Sequence, residues 1–157
     1  MTVLIVYGTN SSGTETVSHV VADQLKKAGH EVRVVHAPDA TATMLPEYDV
    51  VLLGSCTWDG IFDGKTRLEG QLQEHMQHFV DGAKGIRLDS RPFAIFALGD
   101  SSYQEFCAAA DHLEKFVQEV GGKLIVPSLR IDGYYFNEDK NNQAVEGWTQ
   151  SVIKALA

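Results

Sequence analysis

Residues 3–21 read VLIVYGTNSSGTETVSHVV, and the change of pattern along this stretch decides the fold of the chain. The apolar run over 3–7 predicts a buried strand, and the apolar spacing that begins at Val17 predicts a helix. Between them, residues 8–14 are small, hydroxyl or amide residues with neither Lys nor Arg. A helix N-terminus offers unpaired N–H groups and a partial positive charge, so this turn suits a phosphate held by neutral donors. An ordinary capped helix start is the alternative interpretation.

The rest of the chain repeats this alternation of strand and helix. Short apolar runs predict strands at 2–7, 32–36, 49–55, 92–99 and 123–126. Apolar stripes at helical spacing are formed by Val17, Val20, Val21, Leu25 and Ala28; by Leu68, Leu72, Met76 and Phe79; by Phe106, Ala110, Leu113, Phe116, Val117 and Val120; and by Val145, Trp148 and Val152. Only a short helix is predicted within 37–47. The alternation implies right-handed crossovers and therefore an α/β fold, a three-layer doubly wound parallel sheet of five strands between helices.

Three helix starts carry the Ser/Thr-x-x-Glu pattern of a capping box. In this motif the hydroxyl accepts a bond from the N–H of the third helical residue, and the Glu side chain reaches back to the cap. The predicted pairs are Ser12 with Glu15, Thr66 with Glu69, and Ser102 with Glu105.

Length and composition indicate one globular domain over 1–157. With 157 residues and 44% hydrophobic residues, the chain can bury a core without disulfides. Cys56 and Cys107 match no metal or redox spacing, which indicates a reducing, cytoplasmic setting. No apolar run is long enough for a signal peptide or a membrane span. The formal charge of −8 argues against nucleic acid and anionic lipid as partners and would favour a basic protein. On charge alone, the simpler interpretation is that the charge only keeps the protein soluble.

The turn after the first strand matches neither common phosphate-binding motif. It lacks the lysine of G-x-x-x-x-G-K-[ST], and it lacks the G-x-G-x-x-G fingerprint of dinucleotide-binding domains. A phospho-receiver domain is excluded as well, because it needs an acidic cluster after the first strand and a phosphoacceptor Asp after the third. The chain reads VYGTN and GSCTW at these two places. His75 and His78 are interpreted as an exposed pair rather than a metal site, since no third ligand is in view.

Two further loops each carry one large aromatic residue at the predicted ligand-binding edge of the sheet. Trp58 follows the third strand in CTWDG, and Tyr103 follows the fourth in DSSYQEFC. A single aromatic in a loop commonly covers the edge of a core. Two that converge on a phosphate turn instead predict walls for a flat ring whose phosphate tail lies in the first loop.

The stretches VYGTNSSGTE, VLLGSCTW, FALGDSSYQEFC and LRIDG (129–133) resemble the flavodoxin family in order and spacing along essentially the whole chain. The resemblance implies the short-chain class and the strand order 2-1-3-4-5. It also implies FMN as a non-covalently bound cofactor. One position departs from the family pattern [ST]-x-T-G-x-T, because Ser12 stands where Gly is customary and Gly13 follows it.

The resemblance implies which residues hold FMN. The turn over 9–14 would hold its phosphate, Trp58 and Tyr103 would cover the two faces of the isoalloxazine, and backbone groups near Asp100 and Cys107 would bond its pyrimidine edge. The implied cofactor-binding residues are Thr9, Asn10, Ser11, Ser12, Gly13, Thr14, Cys56, Thr57, Trp58, Asp59, Gly60, Leu98, Gly99, Asp100, Tyr103, Phe106 and Cys107.

The resemblance also implies a mechanism. Asp59 and Gly60 would form the centre of a tight turn whose peptide flips on reduction, so that the Asp59 carbonyl stabilises the semiquinone. Asp59, Asp63 and Asp100 would disfavour the fully reduced anion, which gives a low potential. The protein would therefore be an electron carrier rather than a stand-alone catalyst.

The implied partners follow from that role. The electron donor would be a flavodoxin/ferredoxin-type NADPH reductase with a basic docking face. The electron acceptor would be a cytochrome P450, nitrogenase or another reductive enzyme. The protein itself would be a monomer. The alternative is an FMN-dependent NAD(P)H/quinone oxidoreductase of the same fold.

Overall fold

The computed structural model describes residues 1–10, 12–61, 67–99 and 107–157, with 58–61 and 67–69 described by their backbone alone. Its strands are β1 (Thr2–Gly8), β2 (Glu31–His36), β3 (Val50–Ile61), β4 (Arg67–Leu72), β5 (Pro92–Gly99), β6 (Lys123–Leu124) and β7 (Leu129–Asp132). The strands β2, β1, β3 and β5 pair in parallel in that order, and both β6 and β7 pair with β5 in the fifth position. The predicted doubly wound sheet with order 2-1-3-4-5 is confirmed.

Helices cover both faces of this sheet. The described α-helices are α1 (Gly13–Lys27), α2 (Glu74–Gly82), α3 (Ala108–Glu119) and α4 (Glu138–Leu156). Short 3-10 helices occupy Ala37–Asp39, Ala42–Glu47 and Tyr134–Asn137, so the expectation of only short helical structure within 37–47 is confirmed. Among the described residues, no helix has the length and apolar character needed to span a bilayer.

Alternate residues of the central strands contribute their side chains to two separate hydrophobic cores. Val3 and Ile5 of β1 pack with α1 and α4, whereas Leu4 and Val6 pack with α2 and α3. These four side chains are completely buried, as expected for a parallel strand covered on both faces. The sheet therefore forms a rigid middle layer, and its carboxyl edge is held in place by both cores.

The region between β3 and α2 differs from the prediction. β3 continues beyond residue 55 to Ile61, and its last residues pair antiparallel with β4. The predicted helix start at Thr66 to Glu69 is wrong, because Glu69 lies in β4 and α2 begins at Glu74. Pairing between distant residues decides this segment, and local apolar spacing does not reveal such pairing. Two members of the predicted helical stripe belong to the strand instead: Leu68 and Leu72.

The fifth strand position is divided between two short strands. The predicted strand over 123–126 forms only as β6 at Lys123–Leu124, and the LRIDG motif supplies β7. Pro127 lies in the gap, where a residue without an N–H fits better than in a continuous ladder. Its carbonyl accepts a hydrogen bond of 2.9 Å from Nε1 of Trp148, so α4 fixes the gap in place.

Candidate functional site

The carboxyl ends of β1, β3 and β5 lie side by side, so the loops singled out in the sequence meet at one edge of the sheet. Gly8 of β1 is opposite Ser55 of β3, and Cys56 of β3 is opposite Leu98 of β5. In open α/β sheets this edge is where ligands bind. The half-buried Thr9 follows β1 directly and begins the turn that leads into α1.

Ser12 adopts a left-handed backbone immediately before α1. Its φ of 66° and ψ of −4° lie in the region that glycine enters without a steric penalty. The predicted capping box at Ser12 is wrong, since among the described residues its side chain makes no cap hydrogen bond. An N-cap side chain needs an extended backbone to reach the first N–H groups of the helix. The left-handed geometry also explains why glycine is customary at this position in the family pattern.

Thr14 and Gly13 form the first turn of α1 at the sheet edge. Thr14 is 1% exposed, and its Oγ1 is buried with no hydrogen-bond partner among the described residues. A Cβ on Gly13 would lie 3.1 Å from Cδ2 of Leu98, so a side chain at this position would crowd the end of β5. A buried hydroxyl without a partner is unfavourable by roughly 1–3 kcal/mol, which an acceptor oxygen would relieve. The turn thus combines helix N–H groups with an unsatisfied hydroxyl, and this donor set fits the phosphate of FMN.

Gln73 is a site residue that the sequence reasoning missed. It is 2% exposed, caps the start of α2 and connects three parts of the sheet edge. Its backbone N–H donates to Oγ of Ser55 at 3.1 Å, and its Nε2 donates to Oδ1 of Asn10 at 3.2 Å. Gln is not among the favoured N-cap residues, and the predicted helix start at Thr66 places residue 73 inside a helix, so no local signal marks it as a cap. The bond to Asn10 joins residues 63 positions apart and has no local signature.

Thr57 has a structural contact that the resemblance did not imply. Its Oγ1 accepts a hydrogen bond of 3.2 Å from the backbone N–H of Ala109, in the first turn of α3. One of the unpaired N–H groups of that helix is thereby satisfied by β3. Thr57 therefore holds α3 against the sheet edge beside Cys56.

Cys107 closes the other side of the site. Its φ of 49° is again left-handed, and its carbonyl accepts a bond of 3.0 Å from Nη1 of Arg130. A Cβ on Gly99 would lie 2.9 Å from the backbone nitrogen of Cys107, so this close approach requires glycine at the end of β5. Leu98, Gly99 and Cys107 therefore lie together at this edge of the sheet.

The two cysteine thiols are not activated. Burial raises the pKa of Cys107 to about 12, and burial also raises the pKa of Cys56. The Cys107 thiol faces the carbonyls of Ala97 and Ile131, with Sγ to oxygen distances of 3.7 and 3.5 Å. A cysteine is reactive when its pKa is low. These two thiols have raised pKa values, so they are structural groups and not nucleophiles.

Asp59 and Gly60 lie inside β3 and not at the centre of a tight turn, so that prediction is wrong. The register between β3 and β4 shifts between Trp58 and Gly60, where two residues of β4, Glu69 and Gly70, lie opposite Asp59, so the extra residue of the bulge belongs to β4. A bulge leaves a residue outside the regular ladder. Other implied residues lie outside the described residues: Ser11, Asp100, Tyr103 and Phe106, the helix start at Ser102 to Glu105, and the side chains of Trp58 and Asp59.

Aromatic rings line the sheet edge on the β2 side of the turn. The rings of Tyr7 and His36 stack with centroids 5.1 Å apart, and His75 contacts His36 edge-on at 5.8 Å. Burial and the carboxylate of Glu15 raise the pKa of Tyr7, so its hydroxyl stays protonated. His75 is therefore half-buried, whereas His78 is exposed, and the two do not form an exposed pair.

Known proteins resemble this chain over its full length. The family model described as Flavodoxin matches residues 5–148. The flavodoxin of Nitratidesulfovibrio vulgaris is 33% identical over 155 residues, which cover 98% of each protein. The flavoprotein alpha-component of an NADPH sulfite reductase from Bacillus subtilis is 26% identical over 157 residues, which cover 98% of this chain and 24% of that protein. The crystal structure of oxidised flavodoxin 1 from Bacillus cereus aligns over 100% of both chains with a TM-score of 0.86 at 23% identity.

These similarities agree with the architecture and with the sheet edge. The family match begins within β1 and ends within α4, so it includes every strand of the parallel sheet. The likeness to the Bacillus cereus structure independently supports the strand order and the two helix layers. The chain therefore belongs to the flavodoxin family, in its short-chain class, whose members bind FMN and transfer electrons.

Proposed function

We propose that this chain is a low-potential, one-electron carrier whose FMN is held at the carboxyl ends of β1, β3 and β5. We also propose that residues 1–157 form a single domain for this task. When bound, FMN supplies the redox chemistry, since it accepts and releases electrons one at a time. The protein contributes binding, orientation and the charge around the ring.

The observation that carries this proposal is the unsatisfied hydroxyl at the N-terminus of α1. Thr14 is buried in the first helical turn, and its Oγ1 has no hydrogen-bond partner among the described residues. The turn from Thr9 to Gly13 contains no cation, so α1 and its hydroxyl and amide neighbours are the donors it offers an anion. A dianionic phosphate supplies the acceptor oxygens that this donor set lacks.

The remaining roles are proposed from position. The segment from Thr9 to Thr14 holds the phosphate, Trp58 and Tyr103 cover the ring, and backbone around Gly99 and Cys107 holds its edge. The bulge in β4 opposite Asp59 supports movement of the 59–60 peptide, because strand pairing is irregular where this peptide lies. The carboxylates of Asp59, Asp63 and Asp100 would oppose extra negative charge on the ring and so lower its potential.

The proposed partner is a basic protein. The segment after β7 lies against the turn, since a Cβ on Gly13 would come within 3.5 Å of Cε2 of Tyr135. Phe136 in this segment is 88% exposed, and the carboxylates of Glu138 and Asp139 begin α4 beside it. With a net charge of −8, this acidic and partly apolar face complements a basic, partly apolar docking face.

We propose an NADPH-dependent reductase of the flavodoxin/ferredoxin type as electron donor. A cytochrome P450 or another reductive enzyme is the proposed acceptor. Both cysteines are free thiols, which supports a reducing compartment such as the cytoplasm.

Cofactor binding and stepwise reduction test the proposal. The purified protein, stripped of cofactor, is titrated with FMN and then reduced gradually while its visible spectrum is recorded. We expect stoichiometric uptake of FMN and reduction in two separate one-electron steps. Failure to take up FMN would contradict the site, and steady consumption of NADPH by the protein alone would favour the oxidoreductase alternative.

A matched pair of variants tests whether the Thr14 hydroxyl contributes to FMN binding. Thr14→Val removes the hydroxyl and keeps the shape, so we expect FMN affinity to fall about tenfold, the effect of one hydrogen bond to a charged group. Thr149→Val makes the same change at a fully buried threonine in α4, remote from the sheet edge. It should leave FMN affinity unchanged.

A further inference from the structure

We propose that Gln73 is a positioning residue that selects phosphorylated flavin, because it fixes which end of the Asn10 amide faces the ligand. This inference rests on the proposed site, with FMN phosphate at the turn over 9–14. It concerns an interaction between α2 and the turn. In the sequence, the turn precedes β3 and α2 follows it.

The orientation of the Gln73 amide is determined by the start of α2. Oε1 of Gln73 accepts hydrogen bonds from the backbone N–H groups of His75 at 2.9 Å and Met76 at 3.1 Å. Backbone N–H groups are only donors, so the amide cannot turn around without placing its NH₂ group against two N–H groups. Nε2 of Gln73 must therefore point away from the helix.

Gln73 also has little freedom to move. It is 2% exposed, and its backbone N–H is bonded to Oγ of Ser55 at the end of β3. A Cβ on Gly8 would collide with Oε1 of Gln73 and would lie 3.0 Å from Cβ of Met76. The side chain is thus packed against the last residue of β1, where the turn begins.

The orientation passes from Gln73 to Asn10. Nε2 of Gln73 can only donate, and it does so to Oδ1 of Asn10 at 3.2 Å. The amide oxygen of Asn10 is thereby turned towards Gln73, and its NH₂ group is turned the other way. The Asn10 side chain then presents its NH₂ group, and not its oxygen, to the bound ligand. An anionic phosphate accepts hydrogen bonds, so it needs this donor.

This arrangement should favour binding of a flavin that carries a phosphate over one that does not. FMN gains a hydrogen bond from the Asn10 amide, whereas riboflavin has no phosphate to receive it. Loss of the arrangement would present the Asn10 oxygen to the phosphate, and two acceptors facing each other repel. Gln73 should therefore affect affinity for FMN and leave affinity for riboflavin unchanged.

The variant Gln73→Glu tests the inference. A carboxylate still accepts from the N–H groups of His75 and Met76, but it cannot donate to Asn10. The Asn10 amide should then turn its NH₂ group towards the carboxylate. We expect FMN affinity of the stripped protein to fall at least about tenfold, with riboflavin affinity within twofold of wild type.

A double-mutant cycle separates positioning from plain charge repulsion. In an Asn10→Ala background, Gln73→Glu should change FMN affinity by no more than about twofold if it acts through Asn10. A full loss in that background means that the new charge repels the phosphate directly, and this outcome overturns the inference. An equal loss of riboflavin affinity would also overturn it, because it would show general damage to the site.

Asn10→Asp provides a second variant that leaves α2 unchanged. Aspartate can accept from Nε2 of Gln73 but has no donor for a phosphate, so the same selective loss of FMN affinity is expected. Unchanged FMN affinity in this variant would refute the role of the Asn10 amide. Failure of the wild-type protein to bind FMN would instead refute the proposed function itself.

Discussion

Ser12 has a backbone conformation that its residue type disfavours. Its left-handed φ of 66° brings Cβ close to the following carbonyl, which is unfavourable by roughly 1–2 kcal/mol for a residue other than glycine. The carbonyl of Ser12 nevertheless accepts bonds of 3.0 Å from both the N–H and the Oγ1 of Thr16. These contacts hold the turn in a strained form at the proposed phosphate position, and backbone strain is often kept at functional sites.

Ser12→Gly should therefore stabilise the protein. Relief of the left-handed strain outweighs the greater chain entropy of glycine when unfolded, so we expect the free energy of unfolding to rise by up to about 1 kcal/mol. Urea unfolding measures the change. Ser12→Ala is the matched control, because it keeps Cβ and removes a hydroxyl that makes no cap bond; it should differ little from wild type. A Gly variant less stable than wild type would show that the Ser12 side chain contributes contacts of its own.

Cys107 should be unreactive in the folded protein. With a pKa raised to about 12 by burial, roughly one thiol in 10⁴ is ionised at pH 8. Iodoacetamide at pH 8 should therefore leave Cys107 unmodified in mass spectra and alkylate it fully after unfolding in urea. Burial favours the neutral thiol, so the pKa of Cys107 rises from the usual 9.0 to about 12 on folding. The stability that the neutral thiol contributes is therefore complete below about pH 9 and is lost as the pH rises towards 12. Rapid alkylation of Cys107 under native conditions would contradict this assignment.

At the scale of the elements, the sequence predicts best where the pattern changes abruptly. β1, its turn and α1 follow from an apolar run, a polar cluster and an apolar spacing that lie next to each other. β4 does not follow, because RLEGQL has no β-branched residue and has two leucines at helical spacing. Its strand form depends on pairing with the extension of β3. The role of Gln73 was missed for a similar reason, since its partner Asn10 is distant in the chain.

Gly54 shows how the central strands constrain side-chain size. It lies in β3 opposite Phe96 of β5, and a Cβ at this position would overlap the Phe96 ring. Phe96 is fully buried and meets Trp148 edge-on with centroids 5.9 Å apart, so it has no room to move. Gly54→Ala should therefore lower the free energy of unfolding by about 1–3 kcal/mol through overpacking.

Gly147→Ala is the control of opposite sign for Gly54→Ala. Gly147 lies in the middle of α4, and nothing lies within 4 Å of a Cβ built there. Alanine is the better helix former, so this variant should gain up to about 1 kcal/mol in chemical denaturation. Equal effects of the two substitutions would contradict the packing argument.

At the scale of the whole molecule, net charge should govern electron transfer. The chain carries 21 acidic against 13 basic residues, and exposed carboxylates at the start of α4 follow closely in sequence after Tyr135, whose ring lies against the turn at Gly13. The rate of reduction by an NADPH-dependent flavodoxin reductase should therefore fall steeply as salt is raised, because screening weakens attraction to a basic partner. Stopped-flow measurements would show this, with reduction by a neutral photoreductant as the salt-insensitive control. A rate independent of salt would argue against electrostatic docking.

The divided fifth strand has a consequence for how copies of the protein behave towards each other. A long, straight border strand exposes a row of unpaired N–H and C=O groups, which invites edge-to-edge aggregation. Here that border consists of a two-residue piece and a four-residue piece, with Pro127 between them and Trp148 bonded to the Pro127 carbonyl. This interrupted border offers an incoming chain no continuous run of backbone groups to pair with, so we expect it to oppose edge-to-edge association between copies of the protein.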